Sequence, residues 1–304
     1  MINFIQNMVD ALSLGSIYAL VALGIGLLFG ILRLINFAHG DLITIGGYSL
    51  IVPSADVTSQ MLIGNWSWWT LLPSVCLIVV IVALLTDALV FRPLRRANAT
   101  TLMIGSFALS YIIQNGLLLV YSSRAKAVDL WPSLNTQIEL GAVRLPVLQL
   151  TTIGTTLVLM VALIAFLRGT RYGVQMRAAA EDFRMAQYLG VNGNFVIGMA
   201  FAVTGILATA VSLLYVTQTG SLSHTMGVPL ALFGFVAVVI GGMGSLVGAV
   251  VGGFLVGILL VMLQAYLPAD LRGFRDAFAF GILVLVLLGR PSGLFPAKNI
   301  IERV

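Results

Sequence analysis

Residues 147–194 read VLQLTTIGTTLVLMVALIAFLRGTRYGVQMRAAAEDFRMAQYLGVNGN. Residues 147–167 carry no charge. A run of about twenty such residues crosses a roughly 30 Å hydrocarbon core as a helix. A helix is the expected spanning element because it satisfies its backbone groups internally. Arg168, Arg171, Arg177, Glu181, Asp182 and Arg184 then follow within a few helical turns. The chain leaves lipid for water at Arg168, and a further apolar run begins near 195. This alternation decides the fold.

The same pattern fills the chain. Of 304 residues, 60% are hydrophobic and 9% charged, and the mean hydropathy is +1.07. Soluble globular domains do not have this composition. We expect an all-α, polytopic integral membrane helical bundle of eight to ten transmembrane helices, forming one domain across residues 1–304. Nine spans are placed near 10–31, 34–52, 69–91, 100–121, 147–167, 195–217, 226–246, 249–267 and 277–290. The tight connections near Arg33 and near Ser245–Gly248 also admit a broken or re-entrant helix. The first Lys or Arg is Arg33, so no basic n-region precedes the first apolar run, and that run is expected to stay as a span.

Basic residues give the orientation. Arg33, Arg92, Arg95, Arg96, Arg168, Arg171, Arg177, Arg184, Arg290, Lys298 and Arg303 fall on one side of the nine-span scheme and make up eleven of the sixteen Lys and Arg. The positive-inside rule makes that side cytoplasmic. The N-terminus is then periplasmic and the C-terminus cytoplasmic. Trp66, Trp68 and Trp69 precede the third span, where an outer interfacial belt favours aromatics. The net charge of +5 contains no basic block, which argues against nucleic-acid binding.

Chemistry-bearing motifs are scarce. Cys76 is the single cysteine, and His39 and His224 are far apart, so no disulfide framework or zinc site is expected. No GxxxxGK[ST] string is present, so the chain has no ATP site of that kind. Asn36, His39 and Asp41 form the most polar intrusion at a span start. Three roles stay open: Asn36 capping and Asp41 favouring a helix N-terminus, a gate or cytoplasmic coupling surface, or a proton relay. No acidic residue is expected mid-span, and Asp87 is expected to meet a partner at the interface. Gln114, Asn115, Thr204, Thr209 and Gln264 either make interhelical hydrogen bonds or line a path. Gly244, Gly248 and Gly252 are spaced by four, as are Gly253 and Gly257, which suits close helix packing.

Within 168–194, Met176, Ala179, Phe183, Ala186 and Gly190 recur at helical spacing, beside a polar stripe of Arg177, Glu181, Arg184 and Tyr188. Arg177 and Glu181 have i,i+4 spacing. Gly190, Asn192 and Gly193 make a helix stop. The expectation is one short amphipathic helix outside the spans, ending near Gly190 and suited to insertion into a partner's groove.

Three strings carry a family resemblance. They are Gly15-Ser-Ile-Tyr-Ala-Leu through Ile35-Asn-Phe-Ala-His-Gly-Asp to Tyr48; Arg177-Ala-Ala-Ala-Glu-Asp-Phe-Arg-Met-Ala-Gln-Tyr-Leu-Gly190; and Gly241-Gly-Met-Gly-Ser-Leu-Val-Gly248 with Arg290-Pro-Ser-Gly-Leu-Phe295. The chain resembles the permease subunits of ATP-binding-cassette importers for branched-chain, hydrophobic amino acids and their urea and amide relatives. The resemblance implies a bacterial inner-membrane permease, in contact with membrane lipid, that pairs with a paralogous permease or a second copy of itself. Two cytoplasmic ATPases, which hold ATP and Mg, and a periplasmic substrate-binding protein would complete the importer. It also implies that residues 168–194 form the cytoplasmic coupling loop, with Arg177, Glu181, Asp182, Phe183, Arg184, Leu189 and Gly190 as candidate ATPase contacts. Asn36, His39, Asp41, Gln114 and Asn115 are the candidate path or gate. Gly244, Gly248, Gly252 and Gly257 are the candidate packing glycines. An ion-coupled transporter or a channel is the alternative of a different class.

Overall fold

A computed structural model describes residues 2–33, 35–54, 56, 59–95, 97–140, 143–291 and 293–295. Arg96, Lys298 and Arg303 of the basic set lie outside them. The helices are α1 (Ile2–Leu32), α2 (His39–Tyr48), α3 (Trp68–Thr86), α4 (Arg92–Leu94), α5 (Ala99–Tyr121), α6 (Val147–Gly169), α7 (Arg171–Glu181), α8 (Phe183–Tyr188), α9 (Gly193–Thr219), α10 (Gly227–Gly241), α11 (Leu246–Tyr266) and α12 (Arg275–Gly289). Two small antiparallel pairs join β1 (Lys126–Ala127) to β4 (Ser221–Leu222) and β2 (Gln137–Leu140) to β3 (Val143–Pro146).

Among the described residues six helices are long and apolar enough to cross a membrane: α1, α3 with its extension to Leu94, α5, α6, α9 and α11. The other three expected spans each hold a helix too short for that. α2 has 10 residues, and α10 and α12 have 15 each. At 1.5 Å per residue, α2 is only about 15 Å long. The expected span at 34–52 is therefore corrected to a half-length helix. Arg33, at φ +53°, ends α1, and α2 begins only at His39. Short helices are stable at membrane depth only when buried in protein, and nine of the ten residues of α2 are buried.

Packing by contact divides the chain into two units. The first is Met1–Gly26, Trp131–Met160 and Leu232–Val304. In it α10 and α11 form a hairpin. A Cβ on Gly252 would lie 2.0 Å from the Ala237 carbonyl oxygen, and one on Gly248 would lie 2.2 Å from that of Gly241. The other face of α11 meets α1, with Gly257 against Gly15 and Gly253 against Ala19. Gly244 does not belong to this packing. It sits in the turn before α11 with φ +89°, beside Gly242 at +108°. The expectation of one four-spaced face is corrected to Gly248 and Gly252 alone. Leu294 and Phe295 donate backbone hydrogen bonds to Ile240 (2.7 Å) and Gly241 (2.9 Å), so the two halves of the third sequence string meet here.

The second unit is Leu27–Leu130 and Val161–Ala231. α9 packs along α3 and α2. Gly205 faces Val80, Gly46 faces Ser212, and the Phe91 and Phe201 rings are 5.2 Å apart. α3 continues as a π-helical stretch, Asp87–Phe91. Pro93 offers no amide to the carbonyl of Leu89, which favours that widening.

Candidate functional site

Two places in the second unit hold the residues singled out above. The first is the element between α6 and α9. It is not one helix but two, α7 and α8, broken at Asp182, which is extended at φ −143°, ψ 104°. The Asp182 carboxylate accepts the amides of Arg184 and Met185, each at 3.0 Å, and so caps α8. Thr170 caps α7 by accepting the Gly173 amide at 3.0 Å. Gly190, at φ +89°, ends α8, with its own amide on the Gln187 carbonyl and the Val191 amide on that of Ala186. The continuous amphipathic helix expected here is corrected to this capped pair.

The small and apolar face is turned inward. Met176, Ala179 and Ala186 are buried, and the Phe183 ring lies against Gly193, where an added Cβ would come 2.8 Å from it. Asp182, Phe183 and Gly190 therefore shape the element. Arg177, Glu181 and Arg184 are exposed. Among the described residues the ion pairs are Arg95–Asp87 and Arg275–Asp276, so the i,i+4 pair Arg177–Glu181 is not formed. The outer face also carries Met185, Tyr188 and Leu189, which are 56%, 85% and 80% exposed. Met185 was not singled out from sequence, and Tyr188 was read as part of the polar stripe. Their spacing of three and four from Met185 was the available signal.

This element is tied to distant parts of the chain. Arg33 donates to the Glu181 carbonyl oxygen at 3.4 Å, placing a cation at the C-terminus of α7. Arg95 donates to both oxygens of Asp87, at 2.8 and 3.0 Å, and to the side-chain oxygen of Asn194 in the first turn of α9. Asp87 thus meets Arg95.

The second place is the start of α2. Asn36 does not cap it; Ala38 is the N-cap residue, without a side-chain bond. The Asn36 side-chain oxygen instead accepts the Ala38 amide at 3.0 Å. Asp41 lies in the first turn and is 0% exposed. Gln114 Nε2 donates to Asp41 Oδ1 at 3.0 Å and to Ser110 Oγ at 2.9 Å. Asp41 Oδ2, Asn36 Nδ2 and both His39 ring nitrogens are buried without a partner. His39 and Asp41 are two apart and so point to different sides of α2. Asn115 is not joined to this group and donates to the Tyr111 carbonyl of its own helix at 2.8 Å. Thr204 and Thr209 donate to the carbonyls of Ala200 (2.7 Å) and Gly205 (2.9 Å) within α9, and Thr209 also makes a side-chain hydrogen bond with Cys76 of α3. Among the described residues no group of three or more His, Cys, Asp or Glu could hold a metal ion.

Beneath these contacts α2 and α10 meet closely. The Gly227 amide donates to Thr44 Oγ1 at 3.1 Å. A Cβ on Gly40 would lie 2.5 Å from the Gly227 carbonyl oxygen. Glycine at both positions permits this approach.

A family model described as branched-chain amino acid transport system / permease component matches residues 7–287. The high-affinity branched-chain amino acid transport system permease protein BraD of Pseudomonas aeruginosa is 32% identical over 299 residues, which cover 96% of this chain and 95% of that protein. The permease protein LivH of Escherichia coli K12, of the same description, is 32% identical over 301 residues with the same coverage. The autoinducer 2 import system permease protein LsrC of Photorhabdus luminescens is 27% identical over 139 residues, 42% of each chain. No solved structure matches.

Proposed function

This chain belongs to the family of branched-chain amino acid transport system permease components, and on that premise we propose that it is the permease subunit of an ATP-driven importer for branched-chain and similar hydrophobic amino acids. The observation that carries the reading is the match along 96% of the chain to a permease of that description. The protein is a multi-pass membrane protein with six helices of spanning length among the described residues. Its site is the bacterial inner membrane, with the N-terminus periplasmic and the C-terminus cytoplasmic. The contacts of Arg33 and Arg95 with the α7–α9 segment support that orientation. They gather basic residues from distant parts of the chain at one end, as the positive-inside rule requires of a cytoplasmic end.

The permease has no bond to make or break. It supplies two gated conformations whose balance its partners shift. A periplasmic binding protein delivers the amino acid, and a second permease, paralogous or identical, completes the pathway. Two cytoplasmic ATPases hold ATP and Mg. Their force enters through α7 and α8. Met185, Tyr188 and Leu189 form the apolar anchor that enters a groove on the ATPase, and Arg177, Glu181 and Arg184 form its polar rim. Asp182 and Gly190 hold the anchor in shape.

The test is to replace Tyr188 and Leu189 together by Asp in the chain co-expressed with its cognate ATPases. Truncating an interface anchor costs about 2 kcal/mol or more, so each position lowers affinity about thirtyfold. The altered permease is expected to reach the membrane without its ATPases. Full retention of the ATPases overturns the placement, and their absence from the unaltered permease overturns the importer reading.

A further inference from the structure

Asp41 is a carboxylate that the coupling scheme does not use. It is fully buried on a half-length helix. One oxygen is occupied by Gln114 at 3.0 Å, and the other is buried with no partner. Three basic residues of this unit are engaged elsewhere: Lys126 with the Ser54 and Asp56 carbonyls, Arg95 with Asp87, and Arg33 with the Glu181 carbonyl. Burying an unpaired charge is costly, and intramembrane carboxylates are kept for a function.

We propose that Asp41 Oδ2 is a station for the α-ammonium group of the amino acid in transit. The inference rests on the amino-acid importer reading. Every free amino acid of the proposed class carries an ammonium with three donors, whatever its side chain. A carboxylate offers acceptors only. Gln114 holds the other oxygen and is itself anchored on Ser110 Oγ, so Oδ2 is fixed in direction before the substrate arrives. Ser110 and Gln114 are one helical turn apart on α5, which gives the carboxylate a holder from a different helix. A site of this kind reads the common end of the substrate and leaves the choice of side chain to the binding protein.

The experiment uses the whole importer in lipid vesicles, with leucine-loaded binding protein outside and ATP inside. Asp41→Asn keeps an oxygen for the Gln114 bond and nearly the same volume but removes the charge. The expected result is a leucine uptake rate at least tenfold lower. Complex assembly and binding-protein-stimulated ATP hydrolysis stay within twofold. The binding-protein concentration for half-maximal uptake does not move. Uptake within twofold of the unaltered importer overturns the proposal, as does a loss matched by a loss of assembled complex. Gln114→Leu, which leaves the carboxylate but removes its holder, is expected to lower uptake severalfold, and unchanged uptake refutes the holding role. Sodium and N-methylglucamine buffers are expected to give equal rates. A sodium requirement that disappears in Asp41→Asn assigns the station to an inorganic cation and overturns it for ammonium. If the unaltered complex shows no ATP-dependent uptake, the importer reading fails independently of the variants.

Discussion

Gly257→Ala adds one methyl group where two backbones touch. The new Cβ would lie 2.2 Å from Gly15 Cα, 2.3 Å from Gly15 N and 3.0 Å from the Ala11 carbonyl oxygen. Carbon atoms rest about 3.5–4.0 Å apart, so the shortfall is roughly 1.3 Å or more. All three obstacles are backbone atoms, and no rotamer change relieves them. α1 and α11 must therefore separate. A gap of about 0.5–1 Å forfeits a quarter to a half of each contact's ~0.1–0.2 kcal/mol. Over some 40 atom pairs, the number a buried Leu makes, the loss is about 2 kcal/mol. That agrees with the roughly 1–3 kcal/mol cost of overpacking. Gly154→Ala is the control, because nothing lies within 4 Å of a Cβ there. Thermal unfolding of the detergent-solubilised protein is expected to fall by about 4 °C or more for Gly257→Ala and to stay near the unaltered value for Gly154→Ala. Equal unfolding temperatures for both variants would refute the close α1–α11 packing.

Two further substitutions probe the element and its tether. Asp182→Ala removes a cap that accepts two amides; it is expected to cost about 1 kcal/mol, with faster hydrogen exchange confined to residues 183–188, and unchanged exchange there contradicts the capping. Arg95→Met leaves Asp87, which is 7% exposed, without its ion-pair partner; a lost hydrogen bond to a charged group costs about 1.5–3 kcal/mol, measured as a lower unfolding temperature that Asp87→Leu in the same chain partly restores. Failure of the second substitution to restore any stability shows that the pair does not account for the loss.

Much of the fold was legible because hydropathy reports where apolar chain lies. Each of the nine apolar segments does hold a helix. Hydropathy does not report how far a helix runs, however, because residues buried in protein and residues facing lipid are equally apolar. That is why α2, with Ile35 before it and Leu50 to Val52 after it, reads as a full span yet is helical only over His39–Tyr48. The stop lies in the backbone of Arg33, at φ +53°, at the tight connection where the sequence also admitted a broken helix. Gly244 misleads for a related reason. Its spacing from Gly248 is helical, but its backbone is left-handed and belongs to a turn.

In the element between α6 and α9 the periodicity marked Met176, Ala179 and Ala186, which are buried, but also Phe183, which is half-buried, and Gly190, which is exposed. It hid the break, since Asp182 interrupts the hydrogen-bond ladder without interrupting the spacing. An Asp immediately before Phe183 was the local sign of a new helix start. The pairing of Asp41 with Gln114 joins residues 73 apart, and only the packing of α2 against α5 brings them together. The charge-bearing outer residues were visible from the start, whereas the exposure of Met185 and Leu189 needed the orientation of a six-residue helix.

The most direct test of the account is leucine uptake by vesicles holding this permease, its partner permease and the two ATPases, supplied with loaded binding protein. Uptake is predicted to require ATP inside the vesicle and to persist when ion gradients are collapsed. Uptake that survives without ATP and ends with the ion gradient would contradict it.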